Sequence, residues 1–406
     1  MTERGALLNL LLFVGVSVVG PLAAVRLKLP SAVVLILAGI ALGPAGLQIV
    51  GETPTIAFLS QFGFLILMFI AGMEIDFEAI RDAGRSALVR PFVVSLAIGV
   101  LSLGVAILRK LGPIETLVLG AISVGMPLAV LQDTGQIRTQ LGRYVLVTAS
   151  IGEFLCIIAI TGVEIASGEG GVVDMSTRVG KMLVLFAVSA IAIRFARALV
   201  WWYPEPFSRL VDHHDVAELG VRVGLALMLA FVLMSAIFGV EPILGAFIAG
   251  ALVSFVLRQK HSLESKIAAV GHGFFVPIFF VMVGVRFNAR VLDLESLKQA
   301  LVLSGFAFAA KLVPNLLFSW RELGFRQRFA AGSLLSAPLT LVVAIAGIGH
   351  ELHRIDDRQN ATLLLMGMMV SVVLPIVFKL LVGPPKPEGN APAGGAAGVH
   401  APHAAP

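Results

Sequence analysis

Thirteen apolar runs follow one another between residues 6 and 382. Most are about 20 residues long, the length a helix needs to cross a bilayer. Their approximate bounds are 6–25, 31–48, 56–75, 87–108, 114–132, 143–166, 179–202, 219–239, 241–257, 268–286, 297–320, 329–349 and 361–382. Only 14% of the 406 residues are charged, against roughly 25% in a soluble domain. The runs do not alternate polar and apolar residues, which argues against a transmembrane β-barrel. The predicted fold class is therefore an all-α polytopic membrane protein with thirteen transmembrane helices. The single cysteine, Cys156, leaves no internal disulfide to form. The net charge of +5 sits mostly in loop Lys and Arg and is read as topology, with no nucleic acid partner expected. No phosphate-binding Gly loop, zinc spacing or nucleophile elbow is present, so neither an enzyme nor a cofactor is expected.

Lys and Arg set the predicted orientation. They are denser in the loops on the side of the C-terminus, among them Arg26, Lys28, Arg81, Arg85, Arg138, Arg143, Lys260 and Arg328. That places the N-terminus outside and the C-terminus in the cytoplasm. The connection from Glu205 to Glu218 mixes apolar and charged residues and is read as an interfacial helix. Residues 383–406, rich in Pro, Ala and Gly, are read as a disordered tail.

An internal repeat organises the chain. Leu37-Ala38-Gly39 matches Ile248-Ala249-Gly250 at an offset of 211, and Gly72-Met73-Glu74 matches Gly284-Val285-Arg286 at 212. Met126-Pro127-Leu128-Ala129 matches Ala337-Pro338-Leu339-Thr340, again at 211. Equivalent spans are seven apart, an odd number, so the two halves face opposite ways. Two inverted-topology repeats of this kind are a transporter signature.

The repeat pairs two mid-depth prolines, Pro127 and Pro338. Proline inside a helix removes one backbone hydrogen bond and frees a carbonyl. With Gly125, Ser123, Ser336 and Thr340 close by, the two spans are predicted to be interrupted helices whose ends line an ion site. Glu153 stands one span after the first interruption, in the apolar run from Tyr144 to Ile160. A charge at that depth costs a few kcal/mol or more and usually has a task. Ser150 and Cys156 lie one turn to either side, on the same helix face. Such a carboxylate holds either a proton or a metal cation, and the two compete. Lys311 is the second mid-membrane charge, in Ala310-Lys311-Leu312-Val313-Pro314-Asn315. Burying two opposite charges apart is costly, so an ion pair between Glu153 and Lys311 is expected. Glu74 and Asp76 end the third span and are read as interface residues that also draw cations to an inner funnel.

Four segments carry a likeness to a known family: Ala38-Gly39-Ile40-Ala41-Leu42-Gly43-Pro44, Phe69-Ile70-Ala71-Gly72-Met73-Glu74-Ile75-Asp76, Gly245-Ala246-Phe247-Ile248-Ala249-Gly250 and Pro277-Ile278-Phe279-Phe280-Val281-Met282-Val283-Gly284. With them, residues 6 to about 382 resemble the monovalent cation/proton antiporters of the second cation–proton antiporter group, in the sodium/proton exchanger superfamily. The resemblance implies crossed broken helices and a homodimer in the bacterial cytoplasmic membrane. It implies a dimerisation domain from residues 1–80 and 205–290, an ion-binding core from 81–168 and 291–382, and a linker helix in 169–204. Members usually carry Asp-Asp or Asn-Asp in the sixth helix, where this chain has Gly152-Glu153.

The expected activity is secondary antiport of Na+ or K+ against H+ by alternating access. Glu153 is the ion and proton site, Ser123, Ser150 and Ser336 help to coordinate, and Lys311 neutralises the empty site. Two alternatives stand beside it, an ion channel without obligatory proton coupling and a non-transporting membrane sensor on the same fold.

Overall fold

The computed structural model describes residues 3–27, 29–75, 84–137, 139–166, 172–202, 218–256, 261–319 and 323–382. The predicted tail at 383–406, most of the predicted interfacial helix at 205–218, and Asp76 lie outside the described residues. Every regular element among the described residues is helical. Ten helical segments are long and apolar enough to cross a membrane, and three shorter apolar helices join them.

Helices α1 (Glu3–Leu27), α2 (Ser31–Leu42) and α3 (Pro54–Met73) open the chain. The second ends at Leu42, not near residue 48, because Gly43 and Pro44 follow and proline cannot continue the helix. Helix α3 starts where a proline suits the first turn, and its cap is the Thr53 hydroxyl accepting from the Ile56 N–H at 3.3 Å. Next come α4 (Gly84–Arg109), the short α5 (Pro113–Gly120) and α6 (Gly125–Asp133), and the long α7 (Gln140–Ala166) and α8 (Val172–Trp202).

The second half begins with α9 (Leu219–Ile237) and α10 (Pro242–Val256). Helices α11 (His261–Val270) and α12 (Val276–Arg286) are joined by a π turn at Gly271–Phe275, so this span starts earlier than the apolar run at 268 suggests. The chain closes with α13 (Leu294–Phe318), α14 (Phe325–Leu335), α15 (Leu339–Glu351) and α16 (Asp357–Val382).

Two packing groups result. In one, α3 lies on α10 and α12, α2 on α12 and α1, and α9 on α10. In the other, α13, α14 and α16 pack mutually, α4 joins α7 and α13, and α5 packs on α13 and α15. Helix α8 touches α10 and α7, one from each group.

The first group is held by two backbone contacts that mirror each other. A Cβ at Gly39 would stand 2.1 Å from the Val281 carbonyl oxygen, and one at Gly284 would stand 2.1 Å from that of Ile36. A Cβ at Gly250 would stand 2.0 Å from the Phe69 carbonyl oxygen, and one at Gly72 would stand 2.2 Å from that of Phe247. Gly39 and Gly250 are repeat partners, as are Gly72 and Gly284. The α2–α12 crossing and the α3–α10 crossing are thus one contact made twice, with the halves exchanged. In each the helices touch backbone to backbone, which only glycine permits.

Substitution there has a defined outcome. Gly39→Ala and Gly250→Ala should each lower stability by about 1–3 kcal/mol, the cost of overpacking a fitted interface. Gly99→Ala, inside α4 where nothing lies within 4 Å, should not lower it, since alanine is the better helix former. Thermal unfolding in detergent, followed on the three variants side by side, checks the contrast.

Candidate ion-binding site

Residues Ala121–Val124 interrupt what would otherwise be one span, leaving carbonyls at the end of α5 and amides at the start of α6 without partners inside the helix. The interruption is set two residues ahead of where the proline alone would put it. Pro127 is the third residue of α6, in the first turn, where a missing N–H costs no helical bond. Its effect is to deny the Ser123 carbonyl the donor a continuous helix would supply. Gly125 is the first residue of α6. The second interruption runs over Ser336–Pro338, and Pro338 is the residue that caps α15.

The two interrupted spans cross. Helix α5 packs on α15, and α14 packs on α6, so each half-helix meets the opposite half of the other span. At the crossing the Ser123 and Thr340 hydroxyls lie 3.0 Å apart and share a hydrogen bond.

Helix α7 delivers Glu153 to this point. A Cβ at Gly152 would fall 2.6 Å from the Ile122 side chain, so α7 presses directly on the interruption. The neighbouring Glu153, 1% exposed, then reaches two donors. The Val124 N–H donates to its Oε2 at 2.9 Å and the Ser123 hydroxyl donates to its Oε1 at 3.2 Å. The carboxylate therefore takes the place of a cap at the amide end of α6, where the helix carries roughly half a positive charge.

Lys311 does not pair with Glu153. Its ammonium, fully buried, donates to the Leu119 carbonyl in the last turn of α5. The expected ion pair is absent because each charge has found the half-helix end of opposite sign. Lysine satisfies the carbonyl end and glutamate the amide end of the same interrupted span. Cys156, one turn from Glu153, lies within electrostatic reach of both charges. The two thus share one buried compartment without touching.

Other candidates fall further out. Ser150 is buried on α7 but is not a hydrogen-bond partner of Glu153. The Ser336 hydroxyl donates to the Gly332 carbonyl at 2.7 Å, closing the end of its own helix. Asn315 donates to the Lys311 carbonyl at 2.8 Å and accepts from the Tyr144 hydroxyl at 3.0 Å, tying α13 to α7 behind the site. Three groups were not singled out from sequence: the Val124 amide, the Leu119 carbonyl and Tyr144. Two of these are backbone atoms, which sequence names only once the exact interruption is known.

The bonding predicts a specific pattern of coupling. Ser123→Ala and Thr340→Val should be non-additive, with a coupling of at least about 0.5 kcal/mol, because they share one bond. Ser123→Ala and Ser336→Ala should add, since Ser336 is satisfied within α14. A double-mutant cycle on unfolding in detergent reads both.

Comparison with known proteins identifies the family and the fold. The sequence model of the family described as "Sodium/hydrogen exchanger, transmembrane" matches residues 13–382. The chain is 30% identical over 378 residues to the putative Na(+)/H(+) antiporter YjbQ of Bacillus subtilis, spanning 88% of this chain and 59% of that relative's length. It is 29% identical over 366 residues to the probable Na(+)/H(+) antiporter 3 of Methanocaldococcus jannaschii, covering 87% of this chain and 91% of the relative. Among solved structures, that of the sodium proton antiporter MjNhaP1 from Methanocaldococcus jannaschii at pH 8 superposes with a TM-score of 0.64 at 15% identity. The superposition covers 92% of this chain and 96% of that one, a shared fold.

Proposed function

The chain belongs to the sodium/hydrogen exchanger family, and on that premise we propose that it exchanges one monovalent cation, Na+ or K+, for H+ at Glu153. One observation carries the proposal. Glu153 is buried against two donors, while the Lys311 charge is committed to the Leu119 carbonyl. A buried carboxylate without a cationic partner needs a proton or a cation, and the two exclude each other. The Ser123 and Thr340 hydroxyls and the carbonyls at the crossing would supply oxygen ligands to the cation. The names of the relatives at 30% and 29% identity favour Na+.

The membrane arrangement forms part of the same reading. Counting Ser31–Leu42, Val179–Ala192 and Pro242–Val256 as crossings brings the spans to thirteen. The N-terminus then lies outside and the C-terminus in the cytoplasm, in a bacterial inner membrane. The mirrored glycine contacts support two inverted-topology repeats. The packing groups support a dimerisation domain of α1–α3 with α9–α12, a moving core of α4–α7 with α13–α16, and α8 as the link. Alternating access would come from the core shifting against the dimerisation domain of a homodimer.

On this reading Lys311 keeps its proton while it caps the Leu119 carbonyl. Exchange should then be one for one and electroneutral. In proteoliposomes with an internal pH dye, external Na+ or K+ should evoke a pH change that Glu153→Gln abolishes and that a clamped membrane potential does not alter. No response to Na+, K+ or Li+ under either imposed pH gradient would overturn antiport. A cation flux without proton movement would mark a channel instead.

A further inference from the structure

Lys311 sits beside a gap in its own helix. Pro314 lies inside α13, so the Ala310 carbonyl four residues earlier receives no backbone N–H from it. The turn that carries the fully buried Lys311 has therefore lost one of its own hydrogen bonds.

Two neighbours hold that turn. Helix α14 presses on it, since a Cβ at Gly332 would stand 2.9 Å from the Leu312 Cα. Asn315 bridges the proline. Its side-chain amide donates to the Lys311 carbonyl at 2.8 Å, and its Oδ1 accepts from the Tyr144 hydroxyl at 3.0 Å. The amide can point only one way, because the Lys311 carbonyl has no hydrogen to give. Tyr144 belongs to α7, the helix of Glu153, and is anchored in turn. The Thr148 hydroxyl donates to the Tyr144 carbonyl at 2.7 Å, and the Ser95 hydroxyl of α4 donates to the Thr148 carbonyl at 3.1 Å. Lys311 is thus tied at both ends, its carbonyl by Asn315 and its ammonium on the Leu119 carbonyl.

We propose that Asn315, oriented by Tyr144, is a positioning residue for the exchange: it fixes the α13 turn that keeps the Lys311 ammonium on the Leu119 carbonyl and off Glu153. This rests on the antiport reading above. The two charges share one compartment, with Cys156 in electrostatic reach of both. An ammonium freed from its place is drawn to the carboxylate, because opposite charges attract strongly in a low dielectric. There it becomes an internal competitor that the transported cation must displace. Losing the tie therefore costs affinity for the cation and leaves the rate of the loaded site alone.

The test separates positioning from structure. Purified full-length protein in proteoliposomes should show, for Asn315→Ala and for Tyr144→Phe, a KM for Na+ or K+ raised at least about tenfold, the worth of one hydrogen bond to a charged group. The maximal rate should be kept. Asn315→Ser should restore part of the affinity, since a serine there can still donate to the carbonyl four residues back, as Ser319 does. Tyr144→Phe removes a single oxygen and so reads the tie in a chain that keeps its packing. An unchanged KM in both variants, or a fall in maximal rate at constant KM, would overturn the proposal.

A second readout needs no transport. Dicyclohexylcarbodiimide activates a buried carboxyl group, and an amine in contact with it then forms an amide bond while the carbodiimide takes up the water and leaves as a urea. Mass spectrometry of the digested protein should find more Glu153–Lys311 cross-link in Asn315→Ala and Tyr144→Phe than in the wild type. Equal yields would overturn the positioning role, even in a chain that transports. A wild-type protein without cation-evoked proton flux would overturn the antiport reading, while the cross-link yields would still decide whether the Asn315 tie holds Lys311 away from Glu153.

Discussion

A helix interrupted inside a membrane leaves amides on one side and carbonyls on the other, with no water to take them. Everything near the centre of this chain answers that constraint. Ala121–Val124 interrupt a span, the Val124 amide turns to Glu153, and the Leu119 carbonyl receives Lys311. Each buried charge would cost several kcal/mol alone, and each hydrogen bond to a charged group returns about 1.5–3 kcal/mol. Neither side of the interruption is stable without its charge, and neither charge is tolerable without its helix end. Each charge therefore stands at the half-helix end of opposite sign and not against the other charge.

The support for that arrangement is backbone contact. Gly152 allows α7 to press on Ile122, which sets the reach of Glu153. Across the molecule, Gly39 with Gly284 and Gly72 with Gly250 bring α2 onto α12 and α3 onto α10 at distances no side chain would permit. Lipid tails are as apolar as leucine, so helices in a membrane gain little from hydrophobic burial and depend on such fit. The glycine crossings fit one packing group together backbone to backbone. The other is joined through side-chain bonds, Tyr144 to Asn315 and Ser95 to the Thr148 carbonyl.

Much of the fold was legible in the sequence because membrane spans announce themselves by length and composition. The matching glycines of the two crossings stand at offsets of 211 and 212, so the likeness of the two contacts could be seen in the sequence. Pro127 and Pro338 marked the two interrupted spans, but not the residues where the chain leaves the helix. Proline constrains the residues before it, and the first interruption settled at Ala121–Val124, leaving Pro127 inside the next turn. Glu153 and Lys311 were found by their depth, yet their partners were not. Pairing opposite charges is the default when only side chains are counted. Here the partners are a peptide N–H and a peptide carbonyl, whose availability depends on the exact residue of the interruption. Ser336 was drawn to the site by its repeat position and instead closes its own helix on Gly332.

Symmetric packing and asymmetric chemistry therefore coexist in one chain. At the repeat offset of 211, the position matching Glu153 is Leu364 and the position matching Lys311 is Val100. The second interruption gains no charge; its end is closed by the Ser336 hydroxyl, and its contribution at the crossing is the Thr340 hydroxyl. The packing relation is retained twice because each glycine crossing needs both of its halves. The charges stand once, at the α5–α6 interruption, where Glu153 and Lys311 close its two ends. A second charged interruption at the same crossing would place like charges close together in a low dielectric, where their repulsion is strongest. A neutral α14–α15 interruption lets the spans cross without that repulsion and leaves the Ser123 and Thr340 hydroxyls to bond each other between them.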